Sequence, residues 1–280
     1  MKTPGTCYIV ATPIGHLDDM TYRAVRILQE VDLIAAEDTR HSKILLQHYG
    51  IKTKLISAHA FNETERVTTF LERLKNGESI ALISDAGTPL ISDPGALLVK
   101  KMREADIKVV PIPGACALIA ALCASGLSTE RFIFEGFLST KSAKRLERLK
   151  ILSEEHRTII FYEAPHRILK LMTEMASLFD GGRQVVLAKE LTKKFETFFS
   201  GTAKEACDWL RENEVRQKGE FVVLVSGICT DKEEILPKET LHILEVLLTE
   251  LSVKQASELT AKITGHKKNL IYSIALKQEH

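Results

Sequence analysis

The sequence predicts an α/β protein built as two α/β domains followed by a small helical unit. Three observations carry that reading. Short apolar runs of strand length alternate with amphipathic stretches of helical period through most of the chain. The apolar runs empty into loops rich in Gly, Pro and charged side chains, as open sheets do at the strand carboxyl ends where ligands bind. Towards the C-terminus the strand-like runs stop and leucines recur at helical spacing. The expected boundaries are 1–118, 119–235 and 236–280.

Cys7–Val10 is the first expected strand. Its loop, Ala11–Leu17, has neither a G-x-G-x-x-G nor a Gly-Lys-Ser/Thr ending, which excludes both common nucleotide-phosphate loops here. Asp18, Asp19 and Thr21 offer N-caps to a helix through Arg23, Ala24, Ile27 and Leu28. Asp32–Ala36 is strand two and delivers Glu37-Asp38-Thr39-Arg40. Either these side chains serve a ligand, or Asp38 or Thr39 caps the next helix and Arg40 is solvated. That helix, with Leu45, Leu46 and Tyr49, ends at Gly50. Lys54–Ile56 is strand three, opening into Ser57–Glu63, and a helix then runs to Asn76-Gly77. Ser79–Ile83 is strand four and leads into Ser84–Gly95. There Gly87, Gly95, Pro89 and Pro94 impose an irregular backbone, and Asp85 and Asp93 supply carboxylates. Capping aspartates in an ordinary turn would explain one such loop; recurrence at successive strand ends favours a ligand cradle. After a helix at 96–105, Ile107–Val110 is strand five. Pro111–Ala117 then enters a helix of small residues, which either lets a ligand approach backbone N–H groups or only packs tightly.

A second sheet is expected from Arg131–Phe134 onward, with further strands at Thr158–Phe161, Gln184–Ala188, Phe195–Ser200 and Phe221–Val225. Between the first two lies the strongest basic excess of the chain: Lys141, Lys144, Arg145, Arg148 and Lys150 against Glu147 alone. Phosphate contacts are favoured there over a solvated helix face. Strand ends deliver Tyr162–Arg167 and Lys189–Lys194, and Gly201-Thr202 starts a helix carrying Trp209. Residues 231–239, charged and containing Pro237, read as a linker. Beyond it come a helix through Leu241, Leu244, Leu247 and Leu248, a second over Leu251–Thr260 capped by Ser252, and a third from Lys268 to Leu276. This spacing fits a helix-turn-helix unit, with a packing or dimerisation bundle as the plainer alternative.

A net charge of +1 excludes a uniformly basic nucleic-acid binder but leaves room for a local basic patch. The 5 cysteines form no C-x-x-C pair and lie mostly in apolar runs, so reduced thiols and no metal site are expected. No apolar run approaches membrane-spanning length, and no secretory signal is seen, so the expected compartment is the cytoplasm.

Several motifs stand in one order: Ala11-Thr12-Pro13-Ile14-Gly15, Ala35 to Arg40, Ser84 to Gly95, Pro111-Ile112-Pro113-Gly114, Phe161 to Arg167 and Lys218-Gly219-Glu220. With them the chain resembles the tetrapyrrole methylase superfamily, the class III methyltransferases, and most closely its branch acting on small-subunit ribosomal RNA. Leu251 to Ala256 is similar to that branch's helix-turn-helix appendage. His16 stands where Asn is expected and Ser139 where Pro is usual. The resemblance implies a cleft between the two α/β domains that holds S-adenosylmethionine, and 2′-O-methylation of a cytidine in the decoding region of 16S rRNA. It also implies the small ribosomal subunit as partner, and a homodimer. Donor-binding positions carried over by motif are Ile14, Asp85, Ala86, Gly87, Thr88, Cys116, Ala117, Tyr162 and Glu220. Glu37, Asp38, His166, Lys189 and Glu190 are the catalytic candidates at strand ends, with Asp38 and His166 expected in the reacting cleft. Arg40, Lys141, Lys144, Arg145 and Arg167 are the candidates for RNA phosphates. A tetrapyrrole or other small-molecule methylase is the rival within the superfamily. A non-enzymatic nucleic-acid-binding regulator is the rival outside it, and it leaves the rigid glycine and proline loops unexplained.

Overall fold

The computed structural model describes residues 3–57, 63–93, 95–228 and 236–278. The expected strand-end residues Ala58–Asn62, Pro94, Cys229 and the linker stretch 231–235 lie outside the described residues.

The chain begins with β1 (Thr6–Val10). α1 (Tyr22–Glu30) starts where the Thr21 hydroxyl accepts the Ala24 N–H at 3.1 Å, and it buries Ala24, Ile27 and Leu28, one stripe of a 3.6-residue period. β2 (Leu33–Ala36) is buried along its whole length. Asp38 then caps α2 (Thr39–His48), which gives way to Gly50 at φ +63°. β3 (Leu55–Ser57), α3 (Glu63–Lys75), β4 (Ile80–Ile83), α4 (Ala96–Glu104) and β5 (Lys108–Ile112) follow. The strands form a five-stranded parallel sheet in the order β3-β2-β4-β1-β5. α1 and α2 pack on one face, α3 and α4 on the other.

Connectivity explains where a crevice must open. β1 runs on to β2 past β4, while β4 runs on to β5 past β1, so the crossovers of these neighbouring strands leave in opposite directions. Loops diverge at such a switch point and leave a ligand crevice at the carboxyl ends.

α5 (Ala117–Ala124) leads to β6 (Phe132–Phe137), α6 (Ser142–Leu152), β7 (Thr158–Glu163), α7 (Ile168–Leu178), β8 (Gln184–Lys189), β9 (Thr197–Thr202), α8 (Ala203–Glu212) and β10 (Phe221–Val225). These strands form a second five-stranded sheet, β6-β7-β10-β8-β9, in which only β6 and β7 pair in parallel. α8 begins in a capping box between Thr202 and Glu205. Ile159, Phe161, Leu187 and Val223 point to one face and pack on α6, α7 and α8. Complete burial of a side chain such as Phe161 contributes about 1.5–3 kcal/mol. Ile160, Val186, Ala188 and Val222 alternate to the other face, where Leu118, Ala121 and Leu122 of α5 and the side chain of Ile14 lie. The inner face of the second sheet therefore meets the loops of the first.

The chain divides into two compact units, Met1–Ile228 and Cys229–His280, and both sheets lie in the first. The second unit packs α9 (Lys238–Leu248), α10 (Val253–Thr264) and α11 (Lys268–Gln278) around Leu236, Leu244, Ala256, Ile271 and Ala275. Gly265, at φ +75°, ends α10. Ser252 occupies the N-cap position, but its hydroxyl bonds Gln255 Oε1 at 2.8 Å instead of capping the backbone, a correction to the sequence expectation. Among the described residues no helix is long and apolar enough to cross a membrane.

Candidate active site

Loops from both sheets converge on a cavity of about 460 Å³. The first sheet contributes Ile14 after β1, Glu37 after β2, and Asp85, Ala86, Gly87, Thr88, Ile91, Ser92 and Asp93 after β4. Cys116 and Ala117 enter α5 beside them. The facing wall is Phe137, Tyr162 to Pro165, Ala188, Leu191 and Glu220 to Val222. The volume lies within the range of small-molecule and cofactor sites.

Main-chain ties hold these loops. Thr12 N–H donates to Gly87 O at 2.9 Å and Gly87 N–H returns to Thr12 O at 3.0 Å, joining the loops after β1 and β4. Gly87 sits at φ +80°, with Ile14 Cγ2 3.2 Å from where a Cβ would lie, so no other residue fits without strain. The Thr88 hydroxyl donates to Ala115 O at 3.0 Å, and the Tyr162 hydroxyl accepts the Leu118 N–H at 3.1 Å. Burial, with Cys116 next in effect, pushes the Tyr162 hydroxyl far up, so it stays protonated at neutral pH. At the other rim His16 N–H donates to Thr192 Oγ1 at 3.0 Å. The Lys193 ammonium donates to Glu190 Oε1 and Glu220 Oε2, each at 2.9 Å. His16, which stands where Asn is expected, accepts the Asp18 N–H on its Nδ1 at 3.2 Å.

The cavity is acidic. Glu37, Asp85, Asp93, Glu163 and Glu220 line it, and among the described residues no Lys, Arg or His does. Walls of one sign concentrate ligands of the other, so this cavity suits a cation. Asp93 carries the consequence: burial first, then the neighbouring Glu37 and Asp85, push its carboxyl up to about 6. Burial also raises Glu163, whose Oε1 accepts the Ala164 N–H at 2.8 Å and lies 3.2 Å from Arg167 Nε.

Ile14, Asp85, Ala86, Gly87, Thr88, Cys116, Ala117, Tyr162 and Glu220, widely separated in the chain, all line this one cavity, as does Glu37. Asp38 and Arg40 line an adjoining hollow of about 400 Å³ that shares Glu37 and Asp85 with it. The Asp38 carboxylate accepts the Arg40 N–H at 2.7 Å and lies 3.2 Å from its guanidinium, which holds it below the usual carboxylate range. That makes Asp38 the helix cap, the second of the two roles open to it from sequence, and a weak base. His166 is exposed just before α7 and lines neither space. Lys189 is 7% exposed; strand alternation turns it away from the face on which Ala188 meets the cavity. Glu190 stays at the rim, bonded to Lys193 and to the Glu220 N–H at 2.9 Å.

Arg145 corrects the phosphate expectation. It is 3% exposed, and its Nε and Nη2 reach the Glu174 carboxylate at 2.6 and 2.7 Å. Arg167 is turned inward too, with Nη2 donating to Leu138 O at 2.7 Å. Lys141 and Lys144 are exposed on and before α6. Sequence reasoning placed Asp93 in the ligand-cradle loop but not among the candidate site residues, because residue type does not show which carboxylate burial will raise. Phe137 and Leu191 carried no signal at all, since nothing distinguishes an apolar lining residue from core.

Comparison with known proteins agrees with this geometry. Cobalt precorrin-4 methyltransferase CbiF, a cobalamin biosynthetic enzyme, matches with a TM-score of 0.61 at 20% identity over 79% of this chain and 94% of its own. Uroporphyrin-III C-methyl transferase from Thermus thermophilus, solved with S-adenosylhomocysteine, matches with a TM-score of 0.54 at 17% identity over 79% and 97%. The fold is thus the one shared by these methyltransferases. Residues 6–207 match the family described as Tetrapyrrole (Corrin/Porphyrin) Methylases, and residues 234–279 the RsmI C-terminal HTH domain. Ribosomal RNA small subunit methyltransferase I of Pseudomonas aeruginosa is 54% identical over 98% of both chains. Its counterpart in Escherichia coli O157:H7 is 50% identical over 99% of this chain and 97% of its own. The chain belongs to the tetrapyrrole methylase family, in the group of ribosomal RNA small subunit methyltransferase I, and its methyl donor is S-adenosylmethionine. The described residues fit that donor: an acid-lined wall for a sulfonium and an ammonium, and apolar Ile14, Phe137 and Leu191 for a flat base.

Proposed function

We propose that this protein methylates the 2′-oxygen of a cytidine ribose in the decoding region of 16S rRNA, on the small ribosomal subunit in the cytoplasm, as a homodimer. The observation that carries the reading is the acid-lined cavity opening beside the hollow of Glu37, Asp38 and Arg40, in a chain that is 50–54% identical to rRNA methyltransferases of the small subunit.

When bound, S-adenosylmethionine supplies a methyl group activated by a positive sulfonium. Ile14, Asp85 to Thr88, Cys116, Ala117, Tyr162 and Glu220 hold it, the carboxylates through charge and the loops through shape. Placing acceptor and donor in one pocket lowers a barrier by roughly 7–11 kcal/mol in favourable cases. The acceptor hydroxyl would enter from the adjoining hollow. It would have to give up its proton to a neighbouring residue as the methyl carbon leaves the sulfur, which becomes a neutral thioether, for the oxygen. Asp93, poised at about 6 beside Glu37, is the acceptor of that proton. Exposed Arg40, Lys141 and Lys144 meet phosphates, and the helical unit from residue 236 adds a further rRNA contact.

The test is transfer of labelled methyl from S-adenosylmethionine to small subunits lacking the modification, followed by mapping of 2′-O-methyl sites. Label at one decoding-region cytidine is expected. Donor binding without transfer to rRNA, or transfer to a tetrapyrrole instead, overturns the acceptor.

A further inference from the structure

Alongside α2 runs a groove of about 570 Å³, closed on its other side by the segment that enters β3. Arg40, Lys43 and Gln47 line it from one face of α2, and Lys52 faces them. Among the described residues no acidic side chain lines this groove. Among the described residues neither Lys43 nor Lys52 has an ion-pair partner, and the Arg40 side chain is 91% exposed although it touches Asp38. The helix offers about 15 Å of track, from 1.5 Å of rise for each of its 10 residues.

Position makes the groove more than a solvated patch. It shares Thr39 and Arg40 with the hollow of Glu37, Asp38, Ser57 and Asp85, and that hollow shares Glu37 and Asp85 with the donor cavity. The three spaces adjoin in turn, and their lining changes from basic to acidic. A polyanionic chain with one sugar to present to a cationic donor needs that order of charge. We propose that the groove is the track for the sugar-phosphate backbone beside the reacting nucleotide, with phosphates on Lys43, Lys52 and the outer edge of Arg40. The inference rests on rRNA as the acceptor. It makes Lys43 and Lys52 substrate-binding residues, although neither stands at a strand end nor in the basic stretch 141–150.

The test compares wild type, Lys43→Ala/Lys52→Ala, Lys43→Arg/Lys52→Arg, and Lys100→Ala on α4 as a surface control. KM for unmodified small subunits is measured between about 0.05 and 0.2 M salt, and donor Kd in parallel. For the double alanine variant KM rises roughly tenfold and the slope of log KM against log salt falls by about 1.4, about 0.7 for each lost single-strand phosphate contact. Donor Kd is unchanged, the arginine pair restores both readings, and Lys100→Ala matches wild type. Wild-type KM and salt slope in the double alanine variant, or an unchanged KM with a lowered kcat, overturns the track while leaving rRNA as the acceptor. No methyl transfer to small subunits by the wild type overturns the acceptor itself, and the track with it.

Discussion

The main-chain N–H of Asp38 donates to Asp85 Oδ1 at 2.8 Å, so one carboxylate of the cavity also ties the loop after β2 to the loop after β4. The two roles separate by substitution. Asp85→Asn keeps an acceptor oxygen and loses the charge; Asp85→Ala loses both. Asp85→Asn is expected to melt within about 1 kcal/mol of wild type, as for a retained hydrogen bond. It is expected to weaken S-adenosylmethionine binding roughly 10- to 100-fold, the size of a close charge pair partly shielded by solvent. Asp85→Ala should weaken binding as much and also lower thermal stability. Calorimetric Kd values beside melting curves check this, and an Asp85→Asn Kd equal to that of wild type would remove charge from the account.

Asp93 sets a pH dependence. Its carboxyl is raised from its ordinary 3.8 to about 6. Between those values the folded protein keeps a proton that the unfolded chain has lost. This contribution to stability is therefore full below about 3.8 and lost as pH rises through about 6. A bound cation favours the ionised form, so donor affinity runs the other way and strengthens as pH rises through about 6, with proton release on binding just below it. Turnover should rise over the same interval and level off above it. In Asp93→Asn the pH dependence of binding near 6 should vanish and turnover should fall by two orders of magnitude or more, in the range for loss of a general base. A variant that keeps the wild-type pH profile assigns the titration to another group.

What the sequence made legible follows a physical divide. Strand and helix positions in the first unit were readable because burial imposes period: Ile80–Ile83 is apolar throughout, and Ala24, Ile27 and Leu28 recur at helical spacing. The cavity loops were readable because Gly87 and its neighbours are constrained by backbone geometry, which is written in residue type. Side-chain direction was not. Arg145 lies in a basic run but is folded inward onto Glu174, from a helix 29 residues further along the chain. Lys189 follows a pocket residue but points to the other side of its strand. Charge runs report composition, and only packing decides which charges reach solvent.

Gly15 tests the far rim. A Cβ there would lie 2.6 Å from both Lys193 Cγ and Thr192 Oγ1, and 2.9 Å from Leu191 O. Thr192 holds φ at +62°, costly for a β-branched residue, so the rim has little freedom to yield. Gly15→Ala should push the loop after β8 away, break the His16–Thr192 bond of 3.0 Å and disturb Lys193 between Glu190 and Glu220. Donor Kd is expected to weaken about tenfold with a melting loss of only about 1–2 kcal/mol, the size of one strained contact. An alanine variant with wild-type donor affinity would show that the rim does not shape the cavity.

The pair Arg145–Glu174 separates a buried structural cation from the exposed cations near the start of the same helix. Its side chains are 4% and 11% exposed, and the guanidinium also donates to Ser139 O at 3.0 Å and Thr140 O at 3.2 Å, so removing either partner strands a buried charge. Arg145→Ala or Glu174→Ala is expected to destabilise the fold by about 3–5 kcal/mol. Replacing both with well-packed apolar residues should recover much of that loss, because neither charge is then left without its partner. Lys141 and Lys144, exposed at the start of the same helix, have no such burial to lose. Lys141→Ala/Lys144→Ala should leave the unfolding free energy within about 0.5 kcal/mol of wild type and raise KM for the small subunit in a salt-dependent way. Melting curves and KM measured on the same preparations check whether the buried cation carries stability and the exposed cations carry substrate binding. The reverse pattern, a stable Arg145→Ala with raised KM, would return Arg145 to the RNA-binding surface.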